Sequence, residues 1–153
     1  MNKKVTEKER RWLLKNIPQL KFDSRIEIVQ GYFDGLRFRS SLEKGKFTYE
    51  KIKKVSIGVG HNEEIDVEEL TLEQWKEVYP KFERIMFKTR YVIERNGHKF
   101  EVDAPGEISI VMLEIEGVEM NDIINFLPEI KSEVIMEITG MKELSNYNLA
   151  EET

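Results

Sequence analysis

The stretch Ile108-Ser109-Ile110-Val111-Met112-Leu113-Glu114-Ile115-Glu116 is an apolar run that ends on two carboxylates two residues apart. In a strand, positions i and i+2 point to the same face. Glu114 and Glu116 therefore project together from a strand otherwise suited to burial, which is costly unless something cationic meets them. The same spacing recurs in both signs along the chain. Glu7 and Glu9 lead to Arg11, Arg37 pairs with Arg39, Glu64 with Asp66, and Lys88 with Arg90. Mixed acidic and basic pairs imply a curved sheet around a polar cavity, with metal held by the acids and a polyanion by the bases.

Composition narrows the classes. At 153 residues, 40% hydrophobic and 35% charged, the chain reads as one domain, 1–153, with a real core. A net charge of −5 argues against a general nucleic-acid-binding surface but leaves room for a local basic pocket. The absence of cysteine excludes disulfides, zinc–thiolate sites and a thiol nucleophile, and two histidines argue against a multi-histidine metal centre. The first residues, Met1 to Arg11, hold no apolar signal core, and no run reaches membrane-spanning length, so a cytoplasmic protein without a membrane partner is expected.

Strands are predicted over Ile26–Phe33, with Gly31 allowing a bulge or a close approach, and over Leu36–Ser40 and Lys46–Lys53 around the turn Glu43-Lys44-Gly45. Lys54–Glu63 reads as a mobile loop or a hairpin end. Ile85–Glu94 and His98–Asp103 form a hairpin across Asn96-Gly97. Glu107–Glu116 and Glu133–Thr139 complete the strands. Thr71 and Gln74 make a capping box for a helix with Leu72, Trp75, Val78 and Phe82 on its apolar stripe, cut short by Pro80. A second helix is predicted from Asn121, burying Ile123, Ile124 and Leu127 and ended by Pro128.

In order along the chain, these segments resemble the CYTH superfamily, the triphosphate tunnel metalloenzymes. Glu7-Lys8-Glu9-Arg10-Arg11 stands where that family has Glu-x-Glu-x-Lys, although Thr6-x-x-Glu9 by itself also reads as a helix cap. Val29-Gln30-Gly31-Tyr32 resembles its Gln-x-Tyr strand, Arg37-Phe38-Arg39 its Arg-x-Arg strand, and Phe47-Thr48-Tyr49-Glu50-Lys51 its Thr-x-Lys strand. Lys88-Thr89-Arg90, Phe100-Glu101-Val102-Asp103, Leu113-Glu114-Ile115-Glu116 and Glu137-Ile138-Thr139 with Ser145-Asn146 follow in the family's order.

The resemblance implies an α+β fold: an eight-stranded antiparallel β-barrel, the triphosphate tunnel, with two or three helices packed outside. It implies one or two Mg²⁺ or Mn²⁺ ions on Glu7, Glu9, Asp103, Glu114 and Glu116, the number left open, and phosphate held by Arg11, Arg37, Arg39, Lys51 and Arg90. Lys53, on the Lys51 face, is the alternative to Lys51. Lys88, helped by Tyr32, is the candidate for orienting or deprotonating the attacking water. The expected reaction is hydrolysis of a small triphosphate, inorganic triphosphate first. A class IV-type adenylate cyclase, a nucleoside or thiamine triphosphatase and a noncatalytic nucleotide- or polyphosphate-binding module are the alternatives. The cyclases tend to carry a His-Phe pair before the first glutamate motif, and Asn2 to Thr6 lacks one. The roles of Glu64, Asp66 and Lys142 and a homodimeric state are left open.

Overall fold

The computed structural model describes residues 4–106 and 108–153, with side chains from residue 6 onward. Its strands are β1 (Lys4–Leu14), β2 (Ser24–Phe33), β3 (Leu36–Glu43), β4 (Lys46–Gly58), β5 (His61–Leu70), β6 (Arg84–Arg95), β7 (His98–Pro105), β8 (Val111–Glu116), β9 (Val134–Glu137) and β10 (Glu151–Glu152). The order β6-β2-β3-β4-β5-β1-β8-β7 is antiparallel throughout, and β7 pairs back onto β6. That closes an eight-stranded barrel. β9 and β10 lie outside the ring, on β1 and β6. Among the described residues, three short α-helices, α1 (Leu72–Val78), α2 (Pro128–Lys131) and α3 (Asn146–Leu149), and two 3₁₀ turns complete it. Among the described residues no helix is long and apolar enough to cross a membrane.

The alternation is inverted relative to an ordinary small barrel: the charges point in and the apolar side chains point out. Trp12 and Leu14 of β1, Phe100 and Val102 of β7, and Leu113 and Ile115 of β8 form one buried cluster on the outer face. It is covered by Val118, Phe126, Leu127 and Ile130 from the segment after β8, and the Trp12 and Phe126 rings meet edge to face at 5.2 Å. A second cluster joins Phe38 of β3 to Trp75 of α1 and Phe82. Helix α1 begins with the expected capping box, Gln74 N donating to Thr71 Oγ1 at 3.2 Å and Thr71 N to Gln74 Oε1 at 2.8 Å. Both outer faces are thereby dry, which leaves the inner faces free to be polar.

Asn96-Gly97 and Lys44-Gly45 have positive φ at both residues, 56° and 77°, then 51° and 76°, the backbone that a two-residue hairpin turn requires. Gly31 is the close approach: a Cβ there would lie inside the ring of Phe82. Gly31→Ala is therefore expected to destabilise the protein by about 1–3 kcal/mol, read as a lower denaturation midpoint. An unchanged midpoint would mean that Phe82 can move aside freely.

Several boundaries differ from expectation. The ladder between β4 and β5 continues to Ser56 and Asn62 and ends on Gly58 opposite His61, so Lys54–Glu63 is a hairpin end and not a loop. Residues 108–110 precede β8, which starts at Val111, and Glu107 lies outside the described residues. No helix forms from Asn121: Asp122 folds back to accept from Glu119 N at 2.8 Å, and Ile123 is 85% exposed. Pro128 opens α2 instead of closing a helix, because its fixed φ and missing N–H suit the first helical position.

Candidate active site

Because side chains alternate, the register decides which charges meet. Glu9 of β1 lies opposite Glu116 of β8, Arg11 opposite Glu114, and Glu101 of β7 opposite Glu114. Arg37 and Arg39 of β3 lie opposite Ile52 and Glu50 of β4. The lumen holds a cavity of about 470 Å³, bordered by Glu7, Glu114 and Glu116 on one wall and by Arg37, Arg39, Arg90 and Lys54 on the other. A neighbouring chamber of about 370 Å³ shares Arg37, Lys54, Glu114 and Asn146 with it and adds Arg11, Tyr32, Phe33, Leu36 and Tyr147.

On the acidic wall, carboxylate oxygens of Glu7, Glu9 and Glu114 lie within 4.8 Å of one another. The buried Oε2 atoms of both Glu7 and Glu9 lack a hydrogen-bond partner. Lys54 Nζ is 3.7 Å from Glu7 and 3.7 Å from Glu9, and Asn62 donates to Glu9 Oε1 at 3.1 Å. Burial, then repulsion by Glu114, pushes Glu9 up to about 9. Burial acts against Glu114 as well, but the hydrogen bond with Glu9 and the charges of Arg90 and Lys54 hold it down at about 2. Burial and the neighbouring Glu101 and Glu114 push Glu116 up to about 7. Hard oxygen donors, crowded, partly unsatisfied and reluctant to ionise together, fit a hard divalent cation.

The basic wall is under-neutralised. Arg39 donates through Nε and Nη2 to one neutral acceptor, Gln30 Oε1, at 3.0 and 2.7 Å. Burial first, then Arg37 and Arg90, pulls its guanidinium down to about 10. Arg37 reaches Glu50 at 3.4 Å and Glu64 at 3.9 Å, and its buried Nε has no partner. Donors left short of acceptors in a buried cavity suit a phosphate chain. Arg11 borders the second chamber, with Nη1 donating to Leu144 O at 2.9 Å and Nη2 to Met112 Sδ at 3.1 Å.

Four expected residues sit differently. Lys51 faces outward, 3.2 Å from Glu68, because it pairs with outward-facing Phe38; Glu50 takes the inner position. The inner lysine is Lys54, four residues on, and not Lys53. Asp103 stands apart from both carboxylate groups: Lys88 donates to it at 2.8 Å, and Arg90 grips it through Nε at 2.8 Å and Nη2 at 3.0 Å. Burial works against its charge, yet Lys88 and Arg90 hold its carboxyl well below the usual range. Lys88 is pushed down to about 7 by burial, but its side chain is wholly inaccessible and borders neither chamber. It supports Arg90 through Asp103 instead of reaching water. Tyr32 accepts from Gln30 Nε2 at 2.6 Å, and burial raises its phenol instead of lowering it, the wrong direction for a base.

Outside the lumen, Glu137 pairs with Arg10 at 2.8 Å, Lys142 is exposed, and His61 meets Glu119 at 2.9 Å. Asp66 has φ of 55° at a bulge where the β4–β5 ladder steps from Lys51↔Glu68 to Lys53↔Ile65. The bulge turns Asp66 to the exterior, while Glu64 stays on the cavity wall.

No protein-family model matches the chain, and no curated protein does. Among solved structures, the inorganic triphosphatase NE1496 superposes with a TM-score of 0.62 at 22% identity, over 95% of this chain and 95% of that one. A second crystal structure of NE1496, described as a hypothetical protein, gives 0.62 at 21% identity over 94% and 97%. The barrel is the CYTH-type fold. The PH1819 protein from Pyrococcus horikoshii OT3 shares it, with a TM-score of 0.54 at 16% identity over 82% of each chain. In this CYTH-type barrel, Gln30, Glu50, Lys54 and Glu101 join the lumen without having been singled out for it from sequence. Glu101 was legible by the same two-residue spacing, from Asp103. Lys54 was hidden because its strand was expected to stop at Lys53.

Proposed function

We propose that the barrel hydrolyses a triphosphate, with inorganic triphosphate the leading substrate and Mg²⁺ or Mn²⁺ as cofactor. The observation that carries this reading is the pairing of two incomplete walls: orphaned carboxylate oxygens on Glu7 and Glu9 across from the unpaired guanidinium Nε of Arg37. Each wall lacks what a metal–triphosphate complex brings. Glu7, Glu9, Glu114 and Glu116 would hold the cation, which neutralises charge on the phosphoryl oxygens. Arg37, Arg39 and Arg90 clamp the phosphates, Lys54 bridges the two walls, and Asp103 with Lys88 keeps Arg90 in its rotamer.

The apolar side of the second chamber, Tyr32, Phe33, Leu36 and Tyr147, favours one further reading: room for an organic group on the terminal phosphate of the substrate. An assay of phosphate and pyrophosphate release from inorganic triphosphate, ATP, GTP and thiamine triphosphate, with and without divalent cation, separates the two. Release from none of them would sink the proposal.

Arg37→Ala and Arg39→Ala are expected to raise KM by about 10- to 100-fold, the worth of one charge-assisted hydrogen bond. The melting temperature should hold level or rise, since each variant removes a cation from a crowded wall. A large loss of stability at unchanged KM would make these arginines structural partners instead.

The raised carboxylates also set a pH dependence. Glu7, Glu9, Glu101 and Glu116 all lie above the ordinary 4.5. Above that value the folded protein keeps protons that the unfolded chain releases, so their contribution to stability falls as pH rises. The depressed Lys88 acts oppositely, but only above about 7, and the depressed Asp103 and Glu114 act only below their ordinary values. Between about pH 5 and 7, metal-free protein should therefore lose melting temperature, and the increment restored by Mn²⁺ should grow with pH. A metal-free profile that rises over that window would contradict the protonated wall.

A further inference from the structure

We propose that the carboxamide of Asn146 orients the water that attacks the terminal phosphorus. The proposal rests on the preceding reading of the barrel as a triphosphatase and adds to it the residue that handles the nucleophile. Phosphoryl transfer to water needs an acceptor that aims one O–H aside, so that a lone pair of the water faces phosphorus in line with the leaving oxygen. Neither residue expected to do this is suited to it. Lys88 is wholly inaccessible behind Arg90, and the Tyr32 hydroxyl is already held by Gln30.

Asn146 stands where the two chambers of the lumen join. Arg37, Lys54, Glu114 and Asn146 border both. Arg37 and Lys54 only donate, and Glu114 is ionised and bonded to Glu9. Asn146 is the neutral member of the four, and its buried Oδ1 has no hydrogen-bond partner, a costly condition for an amide oxygen. The backbone around it is fully tied down. Arg11 Nη1 donates to Leu144 O at 2.9 Å, and Arg84 Nη1 to Tyr147 O at 3.3 Å. Ser145 Oγ accepts from Asn148 N at 3.2 Å, and Asn146 O accepts from Ala150 N at 3.0 Å. The Tyr147 ring meets Tyr32 edge to face at 5.1 Å. The segment is therefore fixed to the barrel on both sides of a side chain that is left unpaired, which is the rigidity that positioning a reactant requires.

A triphosphate along Arg37, Arg39 and Arg90 lies in the larger chamber, and the smaller one supplies the space from which water reaches its end. The water oxygen forms the new P–O bond as the bridging P–O bond breaks, and that bond's electron pair leaves on pyrophosphate. One water hydrogen stays on the attacking oxygen; the other passes to a second oxygen of the released phosphate. The amide aims the water and takes no proton, so no side chain changes its protonation state in the step.

The intact chain with Mn²⁺ tests this through kcat and KM for inorganic triphosphate, or for whichever of ATP, GTP and thiamine triphosphate wild type hydrolyses. Asn146→Ala should lower kcat by at least about 10-fold and leave KM within about twofold. Its melting temperature should hold level or rise, since an unpaired buried acceptor is gone. Asn146→Asp returns an acceptor to the same place, so its kcat should exceed that of Asn146→Ala, while its charge raises KM by repelling phosphate. A raised KM with kcat retained in Asn146→Ala would make Asn146 a phosphate contact and overturn the water role. Unchanged kinetics would overturn it too, as would an Asn146→Asp variant no faster than Asn146→Ala. Melting temperature lost in step with activity would reduce Asn146 to a support for its segment. Should Asn146→Ala not fold, Asn146→Ser, whose hydroxyl is too short to reach the same point, takes its place with the same expectations. Wild type that hydrolyses none of the four triphosphates overturns the triphosphatase reading itself, and this role with it.

Discussion

Glu114→Gln is expected to abolish the proposed divalent-cation-dependent turnover, by at least about 100-fold, while the melting temperature stays level or rises. Glu114 is the one carboxylate common to both oxygen groups, with Glu7 and Glu9 and with Glu101 and Glu116, and it is held ionised at about 2 among partners that are pushed up. Its charge is therefore the most firmly held on that wall. Glutamine keeps the shape and can donate to Glu9, so the hydrogen bond between them survives without the repulsion. Loss of charge and retention of fold should then be separable in one variant. Glu116→Gln is expected to change activity in the same direction. Near-normal turnover in both purified variants would remove the acidic wall from the reaction, and loss of activity only in step with loss of secondary structure would reduce it to a structural element.

The second large effect is on stability. Asp103→Asn leaves two buried cations, Lys88 and Arg90, without the carboxylate that both of them grip. Removing one partner of a buried ion pair costs about 3–5 kcal/mol, and for a chain of this size each kcal/mol lowers the melting temperature by about 2–4 °C. Lys88→Met should cost much less, because Asp103 keeps both bonds to Arg90 and methionine fills the same dry space. The comparison also separates two roles for Lys88. As a supporting residue, its removal raises KM through a looser Arg90 and leaves the pH–rate profile in place. A lost basic-side requirement in Lys88→Met, with binding retained, would restore it as the base. Equal stability of the Asp103 and Lys88 variants would show that the network is not organised around the aspartate.

A curved sheet around a polar cavity was legible in the spacing because its signal is doubled, the same period of two that turns Glu114 and Glu116 inward turning Leu113 and Ile115 outward; closure into eight strands came from the family resemblance. The cavity walls followed from it, since Arg37 and Arg39 carry the opposite charge at the same spacing. What spacing could not supply was the exact phase between strands. A single residue of offset sends Lys51 outside and Glu50 inside, and one bulge at Asp66 undoes the pairing with Glu64. Nor does spacing distinguish a base that touches the cavity from one that stands behind another: Lys88 and Arg90 share a face, and only depth separates them. The false helix at Asn121 has a plainer origin. Its apolar residues do pack against the outer cluster in part, Ile124 and Leu127 among them, but as an irregular cover whose period imitates a helix.

The inverted alternation has a consequence for how this protein can change. Apart from the Asp103 network, cohesion resides on the outer faces, under Trp12, Phe100 and Leu113, while the lumen crowds unsatisfied charge. Most of the apolar packing and the proposed activity therefore occupy opposite sides of the same strands and should be largely separable. A laboratory selection for heat resistance alone would leave the outer faces and the Asp103 network untouched and would replace Glu7, Glu9 and Arg39 first. The residues that vanish soonest under such a selection would mark the lumen from within, with no substrate in the experiment.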